Sequence, residues 1–228
     1  NLKEETSNSL SGSLNYDYAR ENYIYGFTLE GFYTILNDAF YQDPAGSDEF
    51  GDLYVKRNGS GAKVKGLSID LRVNYNKIIQ LETGFTVQTS SYNHPVLYSD
   101  VLEAKSNFLK TPNSYGFSNI SFKFKDNISS SINYIYTGKM DLIHMGGTIS
   151  NKTDEYIRSD VFHQIDFNLS YNQYLNNMGV RLRYLFGIKN VTNSYQSNFD
   201  ILKNRDSNFI YGPSTPRMII FGLSVSSL

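Results

Sequence analysis

The feature that most constrains this chain is an alternation of apolar and polar residues with a period of two. Between Phe162 and Tyr171, the odd-numbered positions are mainly apolar and the even-numbered positions after Phe162 are polar. Because successive side chains of a β-strand point to opposite faces, this segment predicts a strand with one apolar and one polar face. About nine segments repeat this pattern along the chain, roughly 25 residues apart. Such strands suit a membrane-spanning β-barrel, which is apolar outside and pairs every backbone polar group.

Composition excludes several other classes of protein. The chain has 228 residues, no cysteine and a formal net charge of −1. The lack of cysteine excludes a disulfide framework and a thiolate zinc site. The near-neutral charge gives no general attraction to nucleic acid, so no nucleic-acid partner is expected. No run approaches the roughly 20 apolar residues that a transmembrane helix needs, and no secretory signal is visible at the N-terminus.

The predicted strands are about 10 to 14 residues long, which is long for a soluble sheet and suits a strand tilted across a membrane. They cover residues 9–19, 23–36, 62–75, 78–89, 113–124, 128–136, 162–171, 180–189 and a final strand after Pro216. The connections alternate between short turns and loops of about 25 residues. Outer-membrane barrels have short periplasmic turns and long extracellular loops, so we expect the long loops to face the outside.

Two further patterns bear on this prediction. The loop over residues 37–61 contains two strong turn signals, Asp43-Pro44-Ala45-Gly46 and Asn58-Gly59-Ser60-Gly61. Tyrosines near strand ends are expected to form aromatic girdles at the membrane interfaces; they are Tyr16, Tyr18, Tyr75, Tyr134, Tyr136 and Tyr171.

The alternative is a soluble β-sandwich, in which the apolar faces would pack together and the outer faces would carry charges. The nearly charge-free apolar positions favour the membrane interpretation over the sandwich.

Motifs in the second half of the chain carry a resemblance to a known family. Residues 187–193 read Gly-Ile-Lys-Asn-Val-Thr-Asn, and they resemble the segment that closes the penultimate strand of TonB-dependent outer-membrane receptors. Residues 211–217, together with Phe199-Asp200 and Asp206 before them, look like the corresponding region of such receptors from Bacteroidetes. Upstream, residues 62–71 are similar to a strand of the same receptors. The resemblance covers essentially the whole chain, and the order and spacing of the motifs make it more specific than any single motif.

The resemblance implies a 22-stranded barrel with an N-terminal plug domain in its lumen. On that basis, residues 1–228 are expected to be the C-terminal portion of one all-β, antiparallel transmembrane barrel domain, about its last nine strands, without the plug. The chain ends Ser226-Ser227-Leu228, whereas outer-membrane proteins usually end in an aromatic residue. An open sheet in lipid leaves backbone groups unpaired, so its edges are expected to pair with further strands of the same protein or of another chain.

The resemblance also implies a function in the bacterial outer membrane. Receptors of this family take up a scarce nutrient such as a ferric siderophore, haem or cobalamin, and TonB acts on them through the plug. The expected partners are outer-membrane lipid, the plug, the remaining barrel strands and TonB; a surface lipoprotein and other outer-membrane complex subunits are further candidates. Two alternatives stay open: a receptor-like barrel that serves as a structural subunit of a complex, and a passive porin. No catalytic constellation, metal site or cofactor is expected, so the chain is not predicted to be an enzyme.

Two groups of candidate site residues follow from the predicted strands and loops. The first lies in the predicted extracellular loops, where exposed apolar or aromatic residues need a partner; its members are Phe40, Tyr41, Phe50, Tyr54, Tyr92, His94, Tyr98, His144 and Met145. The second lies on the polar face of the strands and is predicted to face the lumen; its members are Asp70, Arg72, Glu82, Gln164, Asp166, Arg181 and Arg183. The alternatives are a self-packed loop for the first group and a wall that contacts only a plug for the second.

Overall fold

The computed structural model describes residues 2–49, 51–202 and 205–227. It is an all-β, antiparallel structure with one short 3-10 helix at Asn176–Met178. The strands in chain order are β1 (Thr6–Arg20), β2 (Tyr23–Asn37), β3 (Phe40–Asp48), β4 (Gly51–Asn58), β5 (Ala62–Tyr75), β6 (Ile79–Val96), β7 (Lys105–Asn107), β8 (Ser114–Lys125), β9 (Ile128–Thr137), β10 (Asp141–His144), β11 (Glu155–Arg158), β12 (Phe162–Leu175), β13 (Val180–Lys189) and β14 (Met218–Ser227). Within the described residues, no helix is long and apolar enough to cross a membrane.

The long strands form one sheet in which each pairs with its neighbour in the chain. The order is β1-β2-β5-β6-β8-β9-β12-β13-β14, with the short strand β7 paired to β6. This confirms the predicted antiparallel sheet of nine long strands. The bounds of β5 match the predicted segment, whereas β6 and β12 continue beyond their predicted ends, to Val96 and Leu175.

Two of the predicted long loops contain strands of their own. Strands β3 and β4 form a hairpin between β2 and β5, and strands β10 and β11 form a second hairpin between β9 and β12. The predicted turn at residues 43–46 lies inside β3, where the pairing with β4 shifts between Pro44 and Ser47. Gly46 has a φ of +92°, which glycine adopts readily, so this segment forms an irregularity in a strand and does not reverse the chain.

Strand register aligns the apolar faces of all nine long strands on one side of the sheet. Leu29 of β2 pairs with Ile69 of β5, which in turn pairs with Phe85 of β6. On the same face, among the last strands of the sheet, Phe167 of β12 pairs with Ile188 of β13. Since directly paired residues project to the same face, the sheet has a single continuous apolar face and an opposite polar face.

The apolar face is the more exposed of the two. In β5 the apolar residues from Leu67 to Tyr75 are exposed, whereas the polar residues between them are half-buried. Leu10 of β1 and Phe221 of β14 are 75% and 78% exposed. No second sheet covers this face among the residues that the structure describes, so the soluble sandwich, whose apolar faces would pack together, does not occur there.

Aromatic rings collect at both ends of the apolar face. At the end with the short turns, Tyr23 and Tyr75 pack with their ring centroids 4.8 Å apart. At the end with the long loops, the ring centroids of Tyr136 and His163 are 5.5 Å apart, and Tyr134 Oη lies 2.8 Å from His163 Nδ1. Rings with an apolar body and a polar edge suit the boundary between lipid and water. We call these two ends of the sheet the turn end and the loop end.

Replacing Leu71 by Arg is expected to destabilise the protein, because Leu71 lies in the middle of the apolar stretch of β5. An Arg at mid-membrane on a lipid-facing strand costs about 2–4 kcal/mol of folding free energy. The measurement is the free energy of unfolding of the full-length protein in lipid vesicles by denaturant titration. Asn119→Arg is the matched control, because Asn119 lies on the polar face opposite Glu82. Equal destabilisation by the two substitutions would contradict the assignment of the faces.

Candidate functional site

The loop end contains a small apolar core between two of the long loops. Its buried members are Met140, Leu142, Phe162 and Phe209, with Ile157 and Tyr211 packed against them. Leu142 and Phe209 are 1% and 2% exposed. Phe162 opens β12, Leu142 belongs to β10, and Phe209 comes from the loop between β13 and β14. The β9–β12 loop (138–161) and the β13–β14 loop (190–217) are therefore packed against each other over the start of β12.

A buried carboxylate joins the same two loops beside this core. Asp200 accepts hydrogen bonds from the Ser150 hydroxyl and, at 2.9 Å, from the backbone N–H of Asp206. Its Oδ2 atom lies 3.0 Å from Nε2 of His144, whose ring stacks on Phe209 with centroids 3.9 Å apart. Burial acts to raise the pKa of Asp200, but the hydrogen bonds and the nearby imidazole outweigh it and lower the pKa to about 2.

Two further carboxylates extend this arrangement. Asp206 Oδ2 accepts a 2.9 Å hydrogen bond from the backbone N–H of Met145. Asp154 accepts one of 2.7 Å from the N–H of Gly146 and another from the hydroxyl of Ser99, in the loop between β6 and β8. We call Asp154, Asp200 and Asp206 the carboxylate clasp. It connects three separate loops through charge-assisted hydrogen bonds, which are among the stronger polar contacts in proteins.

Asn190 closes the neck of the β13–β14 loop. Its side-chain amide donates to the carbonyls of Ser194, at 3.2 Å, and Thr215, at 2.9 Å, so it holds both arms of the loop. Its backbone N–H donates to Asp166 at 2.8 Å. Asn190 is buried and has a φ of +49°, a conformation that Asn tolerates better than most residues. The asparagine of the motif at residues 187–193 thus has a structural role at the end of β13.

An aromatic patch lies on the other side of the loop end. Its members are Tyr92, Tyr98, Phe108 and Tyr156, with Lys105 beside them. The rings of Tyr92 and Phe108 have centroids 4.5 Å apart, and the two tyrosines at 92 and 98 share a side-chain hydrogen bond. The ammonium of Lys105 lies 4.0 Å from the centroid of the Tyr156 ring. Burial raises the pKa of Tyr98, so its hydroxyl stays neutral.

The loop candidates predicted from the sequence fall into separate groups. Tyr92 and Tyr98 belong to the aromatic patch, and His94 is exposed nearby, with its N–H donating to Ser60 Oγ at 3.0 Å. His144 is 7% exposed, and its second ring nitrogen lies 3.9 Å from Glu155, so both nitrogens face carboxylates. Met145 follows His144 and its N–H is held by the clasp.

The remaining loop candidates lie in the β3–β4 hairpin. Phe40 packs under the ammonium of Lys56, 4.1 Å from the ring centroid, and Tyr41 lies against Gly59. Tyr54 is exposed on β4, and Phe50 lies outside the described residues. Ligand contact by any of these loop residues stays a prediction.

The candidates predicted to face the lumen all lie on the polar face of the sheet. Arg72 forms an ion pair of 3.1 Å with Asp17, donates to Thr28 at 3.0 Å and is in register with Glu82. Arg181 donates to Ser226 at 3.1 Å. The others are Asp70, Gln164, Asp166 and Arg183. Contact of these residues with a ligand or a plug remains a prediction.

The carboxylate clasp and Asn190 are not among the residues predicted from the sequence. Asn190, Asp200 and Asp206 do lie in the segments that resemble TonB-dependent receptors, so the resemblance marked these positions but gave them no role. Among the described residues, no group of three His, Cys, Asp or Glu side chains could hold a metal ion.

Comparison with solved structures identifies the fold. The ferric-catecholate import receptor Fiu from Escherichia coli K12 matches 98% of this chain at 18% identity and a TM-score of 0.65. The siderophore receptor PirA from Acinetobacter baumannii matches 100% of it at 16% identity, with a TM-score of 0.63. The ferric enterobactin receptor PfeA from Pseudomonas aeruginosa, solved as a mutant, matches 99% at 16% identity, with a TM-score of 0.57.

These matches cover only part of each receptor. This chain spans 28% of Fiu, 32% of PirA and 31% of PfeA. At such low identity they establish that the chain has the fold of a portion of an outer-membrane receptor barrel. No protein-family model matches the sequence, and a comparison with curated proteins finds no match.

Asp200→Asn is expected to loosen the β9–β12 and β13–β14 loops, because it removes the negative charge that three donors share. The wild-type loops should lose the same restraint at low pH. Since the pKa of Asp200 falls from 3.8 to about 2 on folding, its stabilising effect is complete above about pH 4 and lost as the pH falls toward 2.

The measurement is hydrogen exchange at the backbone amides of Met145 and Asp206 between pH 7 and pH 2. Asp100→Asn, in the exposed β6–β8 loop, is the control and should leave the exchange unchanged. Unchanged protection in Asp200→Asn would contradict a structural role for the clasp.

Proposed function

We propose that this chain forms part of the barrel wall and the extracellular loops of a TonB-dependent receptor that imports a ferric siderophore across a bacterial outer membrane. The observation that carries the proposal is the match of essentially the whole chain to part of a ferric-catecholate import receptor, a siderophore receptor and a ferric enterobactin receptor. The motifs at residues 187–193 and 211–217 agree with it, and the latter favours a receptor of the Bacteroidetes type.

In this proposal the two faces of the sheet have different tasks. The apolar face contacts lipid, and the polar face lines a lumen that a plug domain fills. Among the residues that the structure describes, strands β1 and β14 each have one neighbour in the sheet, so in this proposal further barrel strands pair with their free edges. Arg72, Arg181 and Arg183 on the polar face then suit contacts with acidic groups of the plug. Residues 1–228 are thus one portion of a larger barrel domain.

The aromatic patch is the proposed place of first contact with cargo. Tyr92 lies on the polar face of β6, paired with Ala62 of β5 near the loop end, which puts the patch at the rim of the proposed lumen. A ferric catecholate is aromatic and carries negative charge, so it can stack on Tyr92 and Phe108 and lie near the ammonium of Lys105. This recognition needs no covalent chemistry. The energy for release comes from TonB acting through the plug, as the family resemblance implies.

The clasp supports this role because it limits how far the loops move. Loops that are already ordered lose less conformational entropy when a ligand binds, which favours high affinity for a scarce nutrient. Three carboxylates and the apolar core around Phe209 restrain the β9–β12 and β13–β14 loops. The aromatic patch then meets its ligand beside a largely preformed wall.

The experiment is uptake of iron-55 as ferric enterobactin by cells that lack the gene and carry it on a plasmid. Wild type is expected to restore uptake in a TonB-dependent manner. The double substitution Tyr92→Ala with Tyr98→Ala should weaken the binding of ferric enterobactin to the cell surface at least about tenfold. Stacking of a planar aromatic group on an aromatic side chain contributes roughly 1–3 kcal/mol per ring.

Tyr174→Ala is the control, because Tyr174 is an exposed tyrosine at the turn end of β12. Equal uptake with and without the gene, across ferric catecholates, hydroxamates and haem, would contradict the transport proposal and favour a structural subunit.

A further inference from the structure

A groove runs along the apolar face where two glycines pair. Gly12 of β1 and Gly31 of β2 are direct cross-strand partners on the apolar side of the sheet. Neither has a side chain, so the surface is recessed between Leu10, Tyr33 and Leu67. The groove has a volume of about 770 Å³ and is lined mainly by apolar atoms. A Cβ atom added at Gly12 would meet no heavy atom within 4 Å, so the space beside it is open.

Two lysines stand at the loop end of this groove. Lys65 lines it, in register with Tyr33 on one side and Thr89 on the other. Lys63 lies one step further toward the loop end on the same face, in register with Ser91. On the loop half of the apolar face, the described residues of the nine long strands include no other charged side chain and no carboxylate. Both lysines are exposed, and none of the described acids lies within ion-pair distance of either one.

The position of the lysines matches the boundary between hydrocarbon and headgroups. From Leu67 to Tyr75 the strand is about 26 Å long at roughly 3.3 Å per residue, or about 20 Å along the membrane normal at a tilt of about 40°. That length nearly fills the roughly 25 Å apolar band of such barrels. Lys65 and Lys63 therefore lie at its upper edge, where long lysine side chains extend to polar headgroups.

We propose that Lys63, Lys65 and the Gly12–Gly31 groove form a binding site for one phosphorylated lipid of the leaflet at the loop end, which in an outer membrane is lipid A. An acyl chain occupies the groove, and a lipid phosphate lies between the two ammonium groups. Charge complementarity supports this occupant, because two neighbouring cations without a carboxylate repel each other until a shared anion binds. Hydroxyls of Tyr33, Thr89 and Ser91 lie close enough in register to donate further hydrogen bonds to the phosphate.

The site rests on the barrel fold and is independent of the cargo. The aromatic patch that we propose for cargo continues the polar face, whereas the lysines and the groove lie on the apolar face. A variant that loses lipid binding is therefore expected to keep ferric siderophore binding, and failure of one proposal leaves the other standing.

The test is native mass spectrometry of the full-length protein titrated with hexa-acylated, diphosphorylated lipid A. Wild type is expected to retain one lipid. The double substitution Lys63→Gln with Lys65→Gln should weaken the binding of lipid A about 30-fold. Each lysine near an anionic membrane surface contributes roughly a factor of five to binding, and the two factors multiply. Gly12→Leu, which fills the groove, should weaken it as well. Lys63→Arg with Lys65→Arg keeps the charge and should retain the lipid.

Lys139→Gln with Lys189→Gln is the matched control, since both lysines are exposed and Lys189 lies on the polar face. Millimolar inorganic phosphate is not expected to displace the lipid, because it cannot occupy the groove. Heat-dependent electrophoretic mobility checks that each variant is folded. If wild type binds diphosphorylated lipid A and dephosphorylated lipid A with equal affinity, the proposal is overturned without any variant. Equal affinity of wild type and the double Gln variant for diphosphorylated lipid A would also overturn it.

Discussion

The hydrogen-bonded register of the nine long strands fixes which side chains share each face of the sheet. Side chains alternate with a period of two, so a shift of one residue between neighbouring strands would move apolar residues to the polar face. The observed register instead pairs Leu29 with Ile69 and Phe167 with Ile188. The same ladder satisfies the backbone groups within the sheet, which is the requirement that lipid imposes on any spanning segment.

This register gives three surfaces with different chemistry. The apolar face carries exposed leucines, isoleucines and aromatic rings, bounded by aromatic residues at both ends. The polar face carries Arg72 and its ion pair with Asp17. The loop end carries the clasp and the aromatic patch. The three surfaces are formed by a single sheet and its loops, without a conventional interior core between two layers.

Polar contacts and apolar burial both hold the loops together. The apolar core at the loop end has four buried side chains, whereas the clasp holds three loops through charge-assisted hydrogen bonds. Asn190 adds contacts to both arms of its loop. The loops are therefore tied to one another and to the rim of the sheet.

Residue order alone was enough to predict the strands, their faces and the alternation of turns and loops. Local periodicity was sufficient there, because each amphipathic strand has only one arrangement that keeps its apolar face in lipid. The strand β5 had its bounds predicted correctly, and the positions of Lys63 and Lys65 on its apolar face follow from the same alternation. The family resemblance pointed to residues 187–193 but assigned no task to Asn190.

The contacts between loops became visible in the folded molecule alone. Strands β3–β4 and β10–β11 pair as local hairpins, whereas the contact of His144 with Asp200 joins residues that are far apart in the chain. The groove beside Gly12 exists because strand pairing places it opposite Gly31. Period-two patterns define the faces of a strand but carry no information on which loop folds against which, since those contacts depend on how the loops lie in three dimensions.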